Sequence, residues 1–504
     1  MISEKFPDVF TWIQNIPQIT RWHTASFSFC ICSSASDFPN STLNLIAQRN
    51  PSPKFITFSI IVQSNNHPPL NLWTSKQQLK INPNSPNPFD EQTIISLLFN
   101  FVESILTYTP NSSNYSTIQI PKPDPSMMID GLKDIFNTVI LTLSFVVCVY
   151  EAPLYLREDC LNNLKNHLVT SRARQATVSL MRILGSNLEE QWMRSVNLAI
   201  TNWIIERVRS QSTKTATTPL FSYAVSAYGL WKVQLYCPIE AMEVERSSNP
   251  LADSRLLFSL KFNQLEGVMQ FNHGVVVRDK WIDVIVNIDN IRCDVIKLVN
   301  ERLMSRRGAG EHEKHFPSRI SLQLTPTLQT DFISVSVSKS SNNPGREFEV
   351  EKSIEGSFDP PNSLGLRVAG REASTMTMTP WKFEQSVLGY TANLNWILYD
   401  SSVGGREVFS TKPSRCSIMS PRSWFKDRYA RAYRSFTRRG GVIFAGDEYG
   451  ESVVWKIGKG AMGRRMEWEI KGFIWLTYWP NRYKTFYHET RRLEFTQLLH
   501  LTIA

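Results

Sequence analysis

The sequence predicts an α+β protein in three parts. These are a small α+β N-terminal domain over residues 1–125, a helical segment over 126–221, and a large antiparallel, β-rich, sandwich-like body over 222–504. Three observations carry the prediction. The first 125 residues alternate strand-like runs with turns rich in Asn, Pro and Ser. The next stretch repeats its apolar residues at helical spacing, and from about Tyr223 the period changes to two. A chain of 504 residues also exceeds one ordinary core, so two or three domains are expected.

The first part reads as strands in SFSFCIC, STLNLIA, KFITFSIIV and LNLWTSKQQLKI, separated by NPSPK and NNHPP, with a helix at EQTIISLLFNFVESIL. In the middle part, SNLEEQWMRSVNLAITNWIIERV opens on a capping box, Ser186 with Glu189. Its residues Leu188, Trp192, Val196, Ile200 and Ile204 recur every four positions and predict a core stripe. In the third part, WIDVIVNID places Ile282, Val284, Val286 and Ile288 on one strand face. Asp283, Asn287 and Asp289 fall on the other face with Trp281 and Ile285. RISLQL, DFISVSVS and NLNWILY alternate in the same way, and the loop SRRGAGEHEKHFPSR at 305–319 marks an internal break.

Ile135–Tyr150, IFNTVILTLSFVVCVY, is the most apolar run. As a helix its sixteen residues reach about 24 Å, short of a hydrocarbon core of about 30 Å. A buried core helix is expected. The alternative, a membrane anchor through this one segment, draws on the sequons at Asn40, Asn111 and Asn114 before it and on Arg157, Lys165, Arg172 and Arg174 after it. The N-terminus has no continuous apolar stretch of the signal-peptide type. Seven scattered cysteines include no Cys-x-x-Cys pair, so no zinc ribbon or dithiol redox motif is read and no metal ligands are assigned. Cys30 and Cys32 are read as small strand residues opposite Phe27, Phe29 and Ile31. Free thiols suit a reducing compartment, so a cytoplasmic or nuclear location is expected, with membrane association as the alternative.

GKGAMG, Gly458 to Gly463, spells the glycine pattern of a nucleotide-binding loop. A dinucleotide fold needs a helix at its third glycine, and here RRMEWEIKGFIW follows with period two. The glycines are read as a hairpin loop, and no nucleotide or other cofactor is expected. EHEKH at 311–315 spaces His312 and His315 three apart instead of the four that a zinc-binding helix needs, and is read as a solvated loop. AGDEYGES gathers Asp447, Glu448 and Glu451 in one turn. Such carboxylates support an alternative reading as a hydrolase or metal-dependent enzyme, with His273 or His488 as base.

The strongest surface signal is SPRSWFKDRYARAYRSFTRRGG, Ser420 to Gly441. The net charge of the chain is +10, and residues 1–125 hold seven basic and seven acidic side chains, so the excess lies beyond them. The window 415–439 holds Arg415, Arg422, Lys426, Arg428, Arg431, Arg434, Arg438 and Arg439 against Asp427 alone. As a helix it sets Arg428, Arg431, Arg434 and Arg438 on one stripe and Phe425, Tyr429, Tyr433 and Phe436 on another. Guanidinium forks grip phosphate and carboxylate, so the segment predicts an anionic partner: lipid head groups, nucleic acid or an acidic protein. The bland alternative packs the aromatics on the sheet and leaves the arginines to water.

SPRSWFKDRYARAYRSFTRRGGVIFAGDEYGES, MEWEIKGFIWLTYWPN and HETRRLEF together resemble a plant-specific family of uncharacterised proteins. The resemblance is clearest over the last hundred residues and implies a plant source and a shared fold. It implies no activity, cofactor or catalytic residue. The leading expectation is a non-enzymatic intracellular binding or scaffold protein that meets its partner through 415–439.

Overall fold

The computed structural model describes residues 6–17, 22–33, 41–50, 55–64, 67–75, 78–80, 89–107, 131–209, 221–247, 254–298, 315–338, 346–354, 370–378, 381–400, 406–407, 441–445, 452–478 and 489–503. The chain divides into two compact units, Met1–Phe221 with Leu298–Asn300 and Ser222–Lys297 with Glu301–Ala504. The class is α+β with a β-rich body, as the periodicities predict.

The first unit opens on helix α1 (Val9–Gln14) and then an antiparallel meander of β1 (Ser26–Ser33), β2 (Ser41–Arg49), β3 (Phe55–Ser64) and β4 (His67–Thr74). The short β5 (Leu79–Lys80) pairs with β3. Helices follow: α2 (Glu91–Thr107), α3 (Leu132–Glu151), α4 (Leu154–Leu168), α5 (Ser171–Leu184) and α6 (Ser186–Arg209). Helix α3 is the hub. It touches α1, α2, α4, α5, α6 and β4, and every residue from Ile135 to Val149 is buried.

Helix α3 is long and apolar enough to cross a bilayer by length and composition, and 89% of its most apolar window is buried. Two of its buried polar residues are bonded there. Asn137 Oδ1 accepts from Phe10 N at 2.9 Å, and Thr142 Oγ1 donates to the Thr138 carbonyl at 2.8 Å. The basic residues that follow are engaged too. Arg157 donates to the Val149 and Ala152 carbonyls at the helix C-terminus and pairs with Glu206. Arg172 pairs with Asp134. Phe101 of α2 joins the layers, its ring edge-on to Phe58 and Trp73 of the sheet and to Phe136 of α3.

Two local expectations shift. The buried stripe of α6 runs through Leu188, Trp192, Ser195, Ala199 and Trp203, while Val196 and Ile204 are only half-buried. Strict four-residue steps advance about 40° past each full turn, so they spiral off a flat core. The helix also starts at Ser186, because the Glu189 N–H reaches the Gly185 carbonyl, which puts Gly185 in the capping position. In β1 the alternation fails at a bulge between Cys30 and Cys32. The bulge keeps Cys30 exposed and turns both Ile31 and Cys32 inward.

The second unit is built on two antiparallel sheets. One orders as β12 (Phe332–Val337), β19 (Ser452–Gly458), β10 (Trp281–Lys297), β9 (Asn263–Val277), β7 (Leu230–Pro238) and β6 (Ser222–Ala227), with β18 (Gly441–Ala445) on the far half of β10. The other orders as β15 (Trp381–Leu388), β16 (Thr391–Asp400), β11 (His315–Pro326), β20 (Arg465–Tyr478), β21 (Glu489–Thr502) and β8 (Glu243–Ser247), with β17 (Arg406–Glu407) on β16. β13 (Arg346–Ile354) and β14 (Gly370–Met378) form a separate ribbon, and α7 (Ser254–Phe262) leads into β9.

The sheets face each other across a tryptophan centre. Trp468 of β20 lies 5.4 Å from Trp231 of β7 and 6.0 Å from Trp455 of β19, ring to ring. Trp231 Nε1 donates to the His500 carbonyl and Trp455 Nε1 to the Tyr390 carbonyl, each at 2.9 Å, so both indoles bridge the sheets. In β10 the inward set Ile282, Val284, Val286 and Ile288 is as predicted. A bulge at Asp289 then hands the core face to Ile291, Cys293 and Val295. Gly472 lies under the Phe495 ring of the neighbouring strand, where any Cβ would meet ring carbon at 2.0 Å.

Candidate functional site

The predicted anion-binding residues Arg422, Lys426, Arg428, Arg431, Arg434, Arg438 and Arg439 lie outside the described residues, as do Asp447, Glu448, Glu451, His312 and His488. What the structure gives for the arginine segment is its flanks. Before it, β17 pairs with Tyr399 and Asp400 at the end of β16. After it, β18 starts opposite Asp294 of β10. The segment therefore connects the two facing sheets of the β-rich unit.

Three motifs can be followed directly. GKGAMG is a 3-10 turn, Lys459–Ala461, followed by two turn residues, and β20 begins at Arg465 with no helix after the third glycine. It is not the hairpin loop expected from the sequence. The strands it joins belong to different sheets, so it is a crossing between layers. Gly463 supplies the positive φ, 75°, and donates to the Ile503 carbonyl at 2.7 Å. Asp283 is latched in place, accepting from Arg278 Nε at 3.0 Å and Trp281 Nε1 at 2.9 Å. His273, offered as a base, lies against Trp231 and has Nε2 at 3.1 Å from the Ala227 carbonyl; burial lowers its pKa, with the Ala227 carbonyl opposing.

His315 is the larger correction. The sequence pattern places it in a solvated loop, yet it opens β11 and is 0% exposed. Pro317, which made the stretch look like loop, sits beside a bulge where the missing N–H does no harm.

Around His315 lies a polar cluster that the sequence reading did not assemble. Ser259 of α7 is 3.0 Å from His315 Nδ1, and Asn263 Nδ2 donates to Ser259 Oγ at 2.9 Å. His315 Nε2 faces Glu489 Oε1 at 3.8 Å, an ion-pair separation too long for a hydrogen bond. Arg491 pairs with Glu489, and its Nη1 donates to the carbonyls of Ile239, Glu240 and Met242 at 3.2, 3.0 and 3.4 Å. The signal was legible in HETRRLEF: a period of two puts Glu489 and Arg491 on the same face as Leu493 and Phe495, all four buried.

Serine, imidazole and carboxylate in sequence suggest an acyl-transfer triad. Burial argues otherwise. Ser259 is 1% exposed and His315 0%, so no substrate carbonyl can approach the hydroxyl. The cluster acts as a staple, tying the turn at 239–242, helix α7, β11 and β21 together with charge-assisted bonds.

Its titration has a defined sign. Burial by itself raises the Glu489 carboxyl, but the facing His315 and the Arg491 guanidinium more than reverse this and bring it down to about 2. Burial lowers His315, against the pull of Glu489, and so keeps it neutral. Glu240 moves the other way, raised by burial and only partly restored by Arg491. Groups with depressed values stabilise the fold above their ordinary pKa and lose that contribution on acidification. Stability of this unit is therefore expected to fall below pH 6.5 through His315 and below pH 4.5 through Glu489. The Glu489 part amounts to about 3 kcal/mol by pH 2. Urea denaturation across pH checks this: Glu489→Gln should flatten the slope below pH 4.5, and an unchanged slope would refute the assignment.

In the first unit a cleft of about 410 Å³ is lined by Phe6, Asp8, Cys30, Cys32 and His167 among others. Cys32 Sγ donates to the Cys160 carbonyl at 3.9 Å; the neighbouring Cys160 raises Cys32 well above its ordinary value, helped by burial, and burial also raises Cys30. Neither is a thiolate nucleophile at neutral pH. Among the described residues no group of three or more His, Cys, Asp or Glu side chains is arranged to hold a metal ion.

The two units thus define an α+β protein whose larger part is a two-sheet antiparallel body. No protein-family model matches the chain, and no curated protein does. Among solved structures it is similar to Clostridium perfringens delta-toxin, at 10% identity over 55% of this chain and 96% of that one, with a TM-score of 0.22. It is also similar to the membrane-inserted form of the Clostridium perfringens NetB toxin, at 7% identity over 56% and 98%, with a TM-score of 0.19. Scores this low carry no argument about fold or function.

Proposed function

We propose that this is a non-enzymatic binding protein that engages an anionic partner through residues 415–439. The observation behind the reading is charge: eight basic residues against one acid in twenty-five positions, interleaved with aromatics. Arginine forks recognise phosphate or carboxylate oxygens in pairs, and adjacent aromatic rings add stacking surface for a base or an apolar edge. The strands on either side of the segment, β17 and β18, pair with β16 and β10.

Binding of the full chain to immobilised heparin, duplex DNA and anionic vesicles at low salt tests the proposal. Arg431→Glu with Arg434→Glu is expected to weaken retention at least about tenfold and to reduce the salt dependence, since each lost phosphate contact removes a released counterion. A wild-type chain that binds none of these polyanions at low salt would eliminate the reading.

A further inference from the structure

One end of the β-rich unit collects the connections between its strands. The β6–β7 turn, the β9–β10 turn, the loop from β11 to β12, the β15–β16 turn and the β19–β20 crossing all open there. The registers fix this placement. Leu230 lies opposite Asn272, Val277 opposite Ile282, and Trp281 opposite Gly458. Phe332 lies opposite Ile457, Pro326 opposite Trp468, and Leu324 opposite Ala392. Three bonds lock the connections together: Thr327 N to the Glu467 carbonyl at 3.0 Å, Gly458 N to the Asp331 carbonyl at 2.8 Å, and Arg464 to Asp331 at 3.1 Å.

Of the ten large apolar side chains exposed among the described residues, seven sit at this end, including a tip on each of the five connections. The tips are Tyr228 at 104% exposure, Leu388 at 77%, Leu328 at 72%, and also Val277 and Met462. Scattered exposed leucines need no explanation, but this concentration on consecutive loop tips does. Cations lie between them. Arg278, Lys280, Lys459, Arg464 and Arg465 lie on these connections, and the acids at this end are Asp279, Asp283, Asp331 and Glu467. Arg278 is occupied by Asp283 and Arg464 by Asp331, which leaves Lys280, Lys459 and Arg465 available.

We infer that this end is a membrane-docking surface, which seats the β-rich unit on an anionic lipid bilayer by inserting the apolar tips among the head groups. A bilayer interface accepts separate apolar side chains one by one and offers negative head groups to the lysines between them. A nucleic acid has phosphates but no hydrocarbon for Leu328 and Leu388. A preformed protein groove favours one continuous apolar face over single residues spaced by glycine and lysine. The strands that flank the arginine segment, β17 and β18, meet their neighbours at Asp400 and Asp294, toward the opposite end.

The test is co-sedimentation of the full chain with phosphatidylcholine vesicles with and without phosphatidylserine. Tyr228→Ser with Leu328→Ser and Leu388→Ser should weaken partition onto phosphatidylserine vesicles at least about tenfold while the thermal transition stays put, because all three side chains are exposed. Lys280→Glu with Lys459→Glu should remove the preference for phosphatidylserine. A dye placed by Leu388→Cys should shift to the blue on vesicles and be quenched by brominated lipid, also in the Arg431→Glu, Arg434→Glu background. Three results overturn the inference: no sedimentation of the wild type, wild-type binding by the triple-serine variant, or a dye that stays in water on bound vesicles. A lipid-free dimer lost in the triple-serine variant would assign the tips to a second copy and overturn it as well. Loss of all vesicle binding in Arg431→Glu, Arg434→Glu, with the tip variants binding normally, would sink this inference and leave the arginine reading standing.

Discussion

Arg491→Ala is expected to destabilise the β-rich unit by about 3–5 kcal/mol, the range for removing one partner of a buried ion pair. Arg491 is enclosed, and its guanidinium answers two carboxylates, Glu489 and Glu240, and three backbone carbonyls at once. Truncation leaves Glu489 charged beside a neutral imidazole and strips the turn at Ile239–Ala241 of its donor. Two of the Arg491 acceptors belong to the buried residues Ile239 and Met242, so the loss reflects orphaned acceptors more than a missing attraction. Arg491→Lys keeps the charge but replaces a planar fork by one ammonium, and should recover less than half of the loss. Arg491→Met with Glu489→Gln removes both charges and should cost clearly less than the single alanine change. Guanidinium denaturation of the three variants measures the series. A loss under about 1 kcal/mol for Arg491→Ala would show that the cluster does not hold the fold.

How far the sequence reveals this architecture depends on the range of the interaction concerned. The strands of the first unit and the inward face of β10 follow from local alternation, which the pleat enforces residue by residue. Departures arise where one residue is inserted into a strand. The bulges at Cys30–Cys32, at Asp289 and beside Pro317 each exchange the two faces, and nothing local marks an inserted residue. The staple is harder still, because His315 and Glu489 meet through two strand pairings that share Tyr478, and Ser259 comes to them from helix α7. Charged residues on an inward-facing alternation, as in Glu489 and Arg491, are its only sequence trace. The loop-tip end is invisible to periodicity for the same reason: its five apolar tips come from turns up to 234 positions apart, Tyr228 to Met462.

Trp468→Ala is the second large effect expected, at about 3–5 kcal/mol. Its ring fills the space where the two sheets meet, against Trp231, Trp455 and Phe332, and none of its surface is exposed. Trp231 and Trp455 cannot move in to close the cavity, because their indole N–H groups are committed to the His500 and Tyr390 carbonyls across the sheets. Poor collapse puts the loss at the upper end of the large-to-small range. Trp468→Phe separates volume from polarity. The Trp468 Nε1–H is buried without an acceptor among the described residues, so phenylalanine removes an unpaired donor while keeping most of the ring contact. That variant should lie within about 1.5 kcal/mol of the wild type. Urea unfolding followed by circular dichroism distinguishes the two. A phenylalanine variant as unstable as the alanine variant would mean that an unseen hydrogen bond from this indole, and not packing between the sheets, holds the centre of the body.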